Sequence, residues 1–185
     1  NEIGVFNVAS KPLPFRSRLP VIDKASYGTI VKYLTKPAKK AYVIDDAQYL
    51  MVFEAFAKAK ETGYGKFTDM ALNYYNLIQF IIQNTPDDVI VYILQHTDTD
   101  ENGRIHAKTL GKMLESQLTV EGLFSIVLHC QTDGTRHFFT TQSDGRSTAK
   151  SPMGMFEREI DNDLKMVDTA IREYWGLNKD GGNKE

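Results

Sequence analysis

Short apolar runs alternate with helix-period stretches along the first hundred residues. Residues 3–8 and 41–45 are apolar or β-branched runs typical of buried parallel strands, and residues 88–97 form a third run that ends in Gln95 and His96. Between them, residues 26–34, 47–60 and 67–81 have helical spacing or strong helix formers. We predict a further helix over residues 107–118. The alternation predicts an α/β fold with a mainly parallel sheet.

The last third of the chain has a different pattern. Residues 123–130 and 136–141 flank Asp133 and Gly134, which predicts an antiparallel hairpin that we place at the edge of the parallel sheet. Residues 161–175 carry an apolar stripe at helical spacing, and residues 179–185 form a polar tail that we expect to be flexible. Since no linker or repeat interrupts the chain, residues 1–178 are predicted to form a single three-layer core.

Two adjacent carboxylates, Asp45 and Asp46, end the second of the apolar runs. The carboxyl ends of parallel strands are where α/β folds bind ligands, and two neighbouring aspartates repel each other unless a cation or a proton-carrying reaction uses them. The pattern is that of a Walker B strand, for which Mg²⁺ is the expected cation. The alternative is a strand end followed by an aspartate that caps the next helix.

Composition narrows the possible functions. The chain has 185 residues, of which 42% are hydrophobic and 25% charged, and these values fit a globular protein with a real core. A formal net charge of -2 argues against wholesale electrostatic binding of nucleic acid. The single Cys130 excludes an internal disulfide framework and, with no membrane-spanning run, favours a cytoplasmic protein. The chain begins at Asn1 without an initiator Met, so we expect further sequence upstream.

Seven segments in order resemble the phage-encoded RecA-like, or AAA-type, ATP-binding proteins associated with single-strand annealing and recombination. The resemblance extends from about Val8 to Val167 and rests on NVASKPLP (7–14), VIDDAQYLM (43–51), KFT (66–68), LQHT (94–97), KTLGKML (108–114), VEGLF (120–124) and DGRSTAKSPMGMF (144–156). It implies a three-layer RecA-like P-loop NTPase core that uses ATP and Mg²⁺. It also implies a homo-oligomer or a partner recombination protein, in the cytoplasm of a bacterial host.

The resemblance implies a role for five side chains. Asp45 would orient Mg²⁺ through water, Asp46 would position the attacking water, and His96 would occupy the sensor position near the γ-phosphate. Arg146 and Lys150 would stabilise transition-state charge, within one subunit or across a subunit boundary. For His96 the alternative is a strand-end histidine that bonds to backbone, and for Arg146 and Lys150 it is a solvated turn.

One departure from the family concerns the phosphate-binding loop. Such ATPases carry G-x-x-x-x-G-K-[ST], whose backbone N–H groups and Lys hold the phosphates, and this motif does not occur in the 185 residues. We expect it upstream of residue 1, and we expect the chain by itself to be inactive. Otherwise the fold would serve as a non-catalytic module that binds DNA or protein. A metal-dependent phosphodiesterase is a third hypothesis, which needs more clustered carboxylates than the strand ends offer.

The segment after His96 is a candidate for contact with single-stranded DNA. Arg104, Lys108 and Lys112 follow the predicted sensor strand, where RecA-like proteins place mobile loops that contact DNA. A solvated charged loop is the alternative. Residues 98–105 also imitate the start of a calcium loop, but the twelfth position is Thr109 instead of a bidentate Glu, so we predict a hairpin turn at Asn102 and Gly103.

Overall fold

The computed structural model describes residues 3–111, 114 and 118–177. They form nine strands and four α-helices in a mixed α/β arrangement, as the alternating pattern predicts. The chain divides into two compact units: one comprises residues 1–97 and 107–120, and the other residues 98–106 and 121–185. That residues 1–178 act as a single core stays a prediction. Residues 179–185 lie outside the described part.

A parallel four-stranded sheet is the centre of the first unit. Its order is β2-β1-β3-β4, built from β1 (Ile3–Asn7), β2 (Val21–Asp23), β3 (Ala41–Asp45) and β4 (Ile90–Ile93). Strand β1 pairs in parallel with β2 and β3, and β3 pairs in parallel with β4, so that Asn7 lies directly opposite Asp45. Parallel strands that are apolar on both faces are buried, and β3 is buried along its length up to Asp45.

Three helices connect these strands: α1 (Tyr27–Thr35), α2 (Gln48–Ala57) and α3 (Gly65–Asn84). The connections from β2 to β3 and from β3 to β4 cross the sheet in the same direction, so right-handed crossovers place their helices on one face. Accordingly, α1 and α2 both pack on α3. The core side chains buried most completely here are Phe6, Ile30, Leu34, Ile44, Met51, Met70, Tyr74 and Ile78.

The predicted helix over residues 107–118 is wrong at its start. Ala107 belongs to strand β6 (Ile105–Ala107), which pairs with β5 (Thr97–Thr99), and residues 108–111 are not helical. Gly111 has a φ of 95°, a left-handed conformation that does not continue an α-helix. The rest of this stretch lies mostly outside the described residues, so the second helical layer of the predicted three-layer core stays a prediction. The predicted hairpin turn at Asn102 and Gly103 is confirmed, with φ 75° at Gly103.

The second unit contains an antiparallel sheet of its own. Strands β7 (His129–Thr132), β8 (His137–Thr140) and β9 (Glu159–Asp161) form it in that order, and helix α4 (Leu164–Tyr174) follows. The predicted hairpin around Asp133 is confirmed, but its placement at the edge of the parallel sheet is wrong. Strand β8 pairs with β7 on one side and with β9 on the other, and these three strands form a sheet separate from the parallel one.

No helix within the described ranges combines the length and the apolar character needed to cross a membrane.

Candidate functional site

The carboxyl ends of β1, β3 and β4 bring the predicted strand-end residues together. Leu94 N–H donates to the Ile44 carbonyl at 2.9 Å, and Ala47 N–H donates to the Leu94 carbonyl at 2.9 Å, which continues the pairing of β3 and β4 past their ends. His96 Nε2 lies 3.2 Å from Asp46 Oδ1. The predicted juxtaposition of Asp45, Asp46 and His96 at one edge of a parallel sheet is therefore confirmed, whereas their chemical roles stay predictions.

Asp46 is buried, with 7% of its surface exposed, and each of its carboxylate oxygens has a partner. His96 contacts Oδ1, and Lys11 Nζ lies 2.5 Å from Oδ2. Its backbone is left-handed, with a φ of 57°. Helix α2 has no side-chain cap, because Ala47 precedes it and the Asp46 carboxylate is turned towards Lys11 and His96. The interpretation of Asp46 as a helix cap is therefore wrong.

Asp45 is the less buried of the two aspartates and has a different environment. Burial, and then the negative charge of Asp46, raise the pKa of the Asp45 carboxyl above its usual value. The nearby Lys11 and His96 act in the opposite direction. A positive charge beside Asp45 therefore favours its ionised form.

Asn7 was not among the predicted site residues, but the structure places it opposite Asp45. Its Nδ2 group donates to the Lys11 carbonyl and to Asp23 Oδ1, both at 2.8 Å. Since both partners are acceptors, the amide orientation is fixed, and the buried Oδ1 atom is left without a hydrogen-bond partner. The sequence does carry a signal for Asn7, because it is the polar residue that ends an apolar strand.

Lys11 and Gln48 complete the surroundings of Asp46. The Lys11 ammonium lies 5.9 Å from the centre of the Tyr49 ring, and its hydrogen bond to Asp46 raises the pKa of Lys11. Gln48 is buried, and its Oε1 accepts the His96 backbone N–H at 3.3 Å, while its Nε2 has no partner. Sequence patterns predicted neither role: Lys11 reaches Asp46 only because the loop after β1 folds back over the sheet edge.

The boundary between the neighbouring strands β1 and β3 is also the point from which the strand connections run in opposite directions across the sheet. The connection from β1 runs to β2, whereas the connection from β3 runs to β4 on the other side. In open α/β sheets a ligand crevice forms at such a switch point. Asn7 and Lys11 approach it from β1, and Asp45 and Asp46 from β3.

The oxygen donors at this edge suit Mg²⁺, which uses one or two protein carboxylates together with water and substrate phosphates. Asp45 and the unpartnered Asn7 Oδ1 are hard oxygen donors in register with each other. Among the residues that the structure describes, no group of three or more His, Cys, Asp or Glu side chains could hold a metal ion. The phosphodiesterase hypothesis therefore gains no support from these residues.

The other predicted residues within the described ranges are divided between the two units. Arg146 and Lys150 belong to the second unit, where Arg146 N–H donates to Asp144 Oδ1 at 2.9 Å and Lys150 pairs with Val127 through two backbone hydrogen bonds. Of the three residues predicted to contact DNA, Arg104 follows the Gly103 turn in the second unit. Lys108 belongs to the first unit, where its N–H donates to the His96 carbonyl at 2.8 Å. Lys112 lies outside the described residues.

No protein-family model, curated protein sequence or solved structure matches this chain.

Proposed function

We propose that this chain is the core of an ATP-binding and ATP-hydrolysing protein with a RecA-like fold. The observation that carries the proposal is the contact between the buried Asp46 carboxylate and His96, beside a second aspartate, at the carboxyl edge of a parallel sheet. A buried carboxylate next to an exposed histidine is suited to orienting a water molecule for attack on a phosphoryl group. The setting in phage recombination or single-strand annealing rests on the sequence resemblance alone.

Each residue in the proposed site has one task. Asp45, with Asn7 Oδ1 beside it, would hold Mg²⁺ through water, and the ion would neutralise charge that develops on the phosphates. Asp46 would accept a hydrogen bond from the attacking water, and His96 would orient that carboxylate or the transferred phosphoryl group. Arg146 or Lys150 would supply positive charge from within the subunit or from a neighbouring copy. A phosphate-binding loop, which these 185 residues do not contain, would complete the site.

A non-catalytic module that binds DNA or protein is the second candidate. Two observations favour it: the 185 residues contain no G-x-x-x-x-G-K-[ST] motif, and the Lys11 ammonium occupies Asp46 Oδ2. An ion pair at this carboxylate competes with its use as a base or as a hydrogen-bond acceptor for water.

The test compares two substitutions in the full-length gene product. Asp45→Ala is expected to weaken Mg²⁺-dependent ATP binding by at least about tenfold, because a metal-orienting carboxylate is removed. Asp46→Asn is expected to leave ATP affinity within about threefold and to lower kcat by about 10²-fold, since the contribution of a positioned base is of that order. Binding is measured by calorimetry with and without Mg²⁺, and turnover by phosphate release.

Asp87→Asn is the matched control, because Asp87 and Asp88 are another pair of adjacent aspartates. They lie just before β4, at the amino-terminal end of that strand, whereas Asp45 and Asp46 lie at the carboxyl end of β3. This control should leave both binding and turnover unchanged. A kcat for Asp46→Asn within twofold of the wild type would return Asp46 to a structural role. Failure of the full-length product to bind ATP would favour the non-catalytic module.

A further inference from the structure

The Lys11 side chain contacts one oxygen of Asp46 and is itself largely exposed. Its Nζ atom lies 2.5 Å from Asp46 Oδ2, and 61% of the Lys11 side chain is accessible to solvent, against 9% for the side chain of Asp46. A lysine ammonium carries three N–H donors, and the contact with Oδ2 needs one of them. A ligand that approaches from solvent can therefore reach the ammonium while Asp46 stays buried.

Backbone contacts hold Lys11 in this position. Asn7, at the end of β1, donates from Nδ2 to the Lys11 carbonyl at 2.8 Å. The preceding residue, Ser10, has a left-handed φ of 54°, and its Oγ accepts the Lys24 N–H at 2.8 Å, so the loop is also tied to the end of β2. A side chain on an ordered backbone loses less conformational entropy when it binds a ligand.

His96 contacts the second oxygen of the same carboxylate. Its Nε2 lies 3.2 Å from Asp46 Oδ1, and 56% of its side chain is exposed. The Tyr49 ring lies beside both groups, with its centre 5.9 Å from the Lys11 ammonium and 6.2 Å from the centre of the His96 ring. One buried carboxylate thus positions two exposed nitrogen groups. Nitrogen donors at separate points suit an anion with several oxygens, such as a phosphate group.

We propose, building on the ATPase function proposed above, that Lys11 binds a phosphate group of the nucleotide. Asp46 holds the ammonium in place until the nucleotide binds, and the ammonium then exchanges Asp46 Oδ2 for a phosphate oxygen. The exchange replaces one charge-assisted hydrogen bond by another, so its net cost is small. It also leaves Oδ2 to accept a hydrogen bond from water, which ends the competition between the ion pair and the proposed role of Asp46.

The charges at this edge set the condition for binding. Asp45 and Asp46 together carry more negative charge than Lys11 balances, so a phosphate anion by itself is repelled. The sign of the local charge reverses when Mg²⁺ is bound beside Asp45. We therefore expect Lys11 to bind phosphate as a Mg²⁺ complex.

Methyl triphosphate is the probe, because it has the phosphate chain of a nucleotide without the base and the sugar. The measurement is the ¹⁵N amide spectrum of the 185-residue chain with Mg²⁺, compared with Mg²⁺ alone. We expect saturable shifts centred on Asp46, Ala47 and His96, with a Kd on the order of 1 mM. Without Mg²⁺ the affinity should fall by at least about tenfold. Shifts that do not saturate, or that are as large without Mg²⁺, would overturn the proposal.

Two substitutions of Lys11 test the contact. Lys11→Met should weaken binding of the Mg²⁺ complex by about tenfold or more, the effect of losing a hydrogen bond from a charged donor. Lys11→Arg keeps the positive charge and should bind within about threefold of the wild type. Lys24→Met is the matched control, because Lys24 follows β2, which β1 separates from β3, and its Kd should change less than about twofold. An unchanged Kd in Lys11→Met, or an equal loss in Lys24→Met, would refute the role of Lys11.

A double variant covers the case in which Lys11→Met does not fold. Removing Lys11 leaves the buried Asp46 charge without its ion-pair partner, which lowers stability. Combining Lys11→Met with Asp46→Asn removes that charge as well, and this variant should still bind at least about tenfold more weakly than Asp46→Asn alone. Equal affinities of these two variants would show that Lys11 only neutralises Asp46, and the proposal would fail.

The result can be told apart from the outcome of the ATPase test. Binding of methyl triphosphate that depends on Lys11, in a protein that does not hydrolyse ATP, would support the phosphate contact and reject only the ATPase. ATP binding and turnover that are unaffected by Lys11→Met would overturn the role of Lys11 and leave the proposed function standing.

Discussion

Asp46 combines burial, an ion pair with Lys11, a contact with His96 and a left-handed backbone in one residue. In the described ranges, the non-glycine residues with positive φ are Ser10, Lys24 and Asp46, and each follows the carboxyl end of β1, β2 or β3. An L-residue other than Asn or Asp pays about 1–2 kcal/mol for this conformation. The backbone strain of the first unit is therefore concentrated at the edge that carries the candidate site, as is common for functional sites.

Substitutions at Asp46 should rank by their tolerance of the left-handed conformation. We expect Asp46→Asn and Asp46→Gly to be more stable than Asp46→Ala by about 1 kcal/mol, because Asn and Gly adopt positive φ readily. Urea unfolding followed by circular dichroism measures the order. At positions with negative φ a Gly variant is normally less stable than an Ala variant. An Asp46→Ala variant as stable as Asp46→Gly would therefore contradict the positive φ of Asp46.

The hairpin of β7 and β8 depends on one side chain in its turn. Asp133 Oδ1 accepts hydrogen bonds from the Thr135 N–H at 2.9 Å, the Thr135 hydroxyl at 2.6 Å and the Arg136 N–H at 3.0 Å. These bonds, led by the Thr135 hydroxyl, hold the pKa of Asp133 far below its usual range. The ionised carboxylate therefore stabilises the turn.

Because the pKa of Asp133 is lower in the folded protein than in the unfolded chain, its ionisation stabilises the fold. This contribution to the free energy of unfolding is fully present above the unfolded-state pKa of about 3.9, and it is lost as the pH falls through the folded-state pKa. Asp133→Asn should accordingly lower Tm relative to the wild type at pH 7. That difference should shrink steadily below about pH 4. Thr135→Val, which removes the leading hydrogen bond but keeps the charge, should reduce the pH dependence only in part. A Tm difference that is constant from pH 7 to pH 2 would exclude this role for Asp133.

The whole chain is slightly acidic, with a net charge of -2, so contact with nucleic acid would depend on local positive charge. Arg104 and Lys108 belong to different compact units, and a surface shared by them stays a proposal.

Replacing Arg104, Lys108 and Lys112 by Gln together should weaken binding of single-stranded DNA and flatten its dependence on salt. The slope of log K against log salt should fall by about 0.7 for each phosphate that the variant no longer neutralises. Fluorescence anisotropy between low and moderate salt measures it. Gln at Lys32, Lys36 and Lys60, which are exposed, removes the same charge and serves as the control. An unchanged slope in the first variant, or an equal change in the control, would exclude these three residues as the DNA-binding surface.

Local pattern was enough to predict the elements whose residues mainly interact with near neighbours in sequence. The helical spacing of residues 67–81 predicted α3, and the Ser26 side chain caps α1 by accepting the Thr29 N–H, a bond that forms across three residues. The apolar runs with polar ends also predicted that Asp46 and His96 would meet, because the ends of neighbouring parallel strands share one edge.

Long-range packing decided what these local patterns left open. Lys11 pairs with Asp46 across 35 residues of sequence, and no periodicity encodes how the intervening loop folds back. The hairpin joined β9 rather than the parallel sheet, since the free edge of a strand can bond to any strand that packing brings beside it. The hydrogen bond from the His96 backbone to Gln48 likewise forms only once α2 packs beside the strand ends, because contacts between residues distant in sequence are properties of the folded chain.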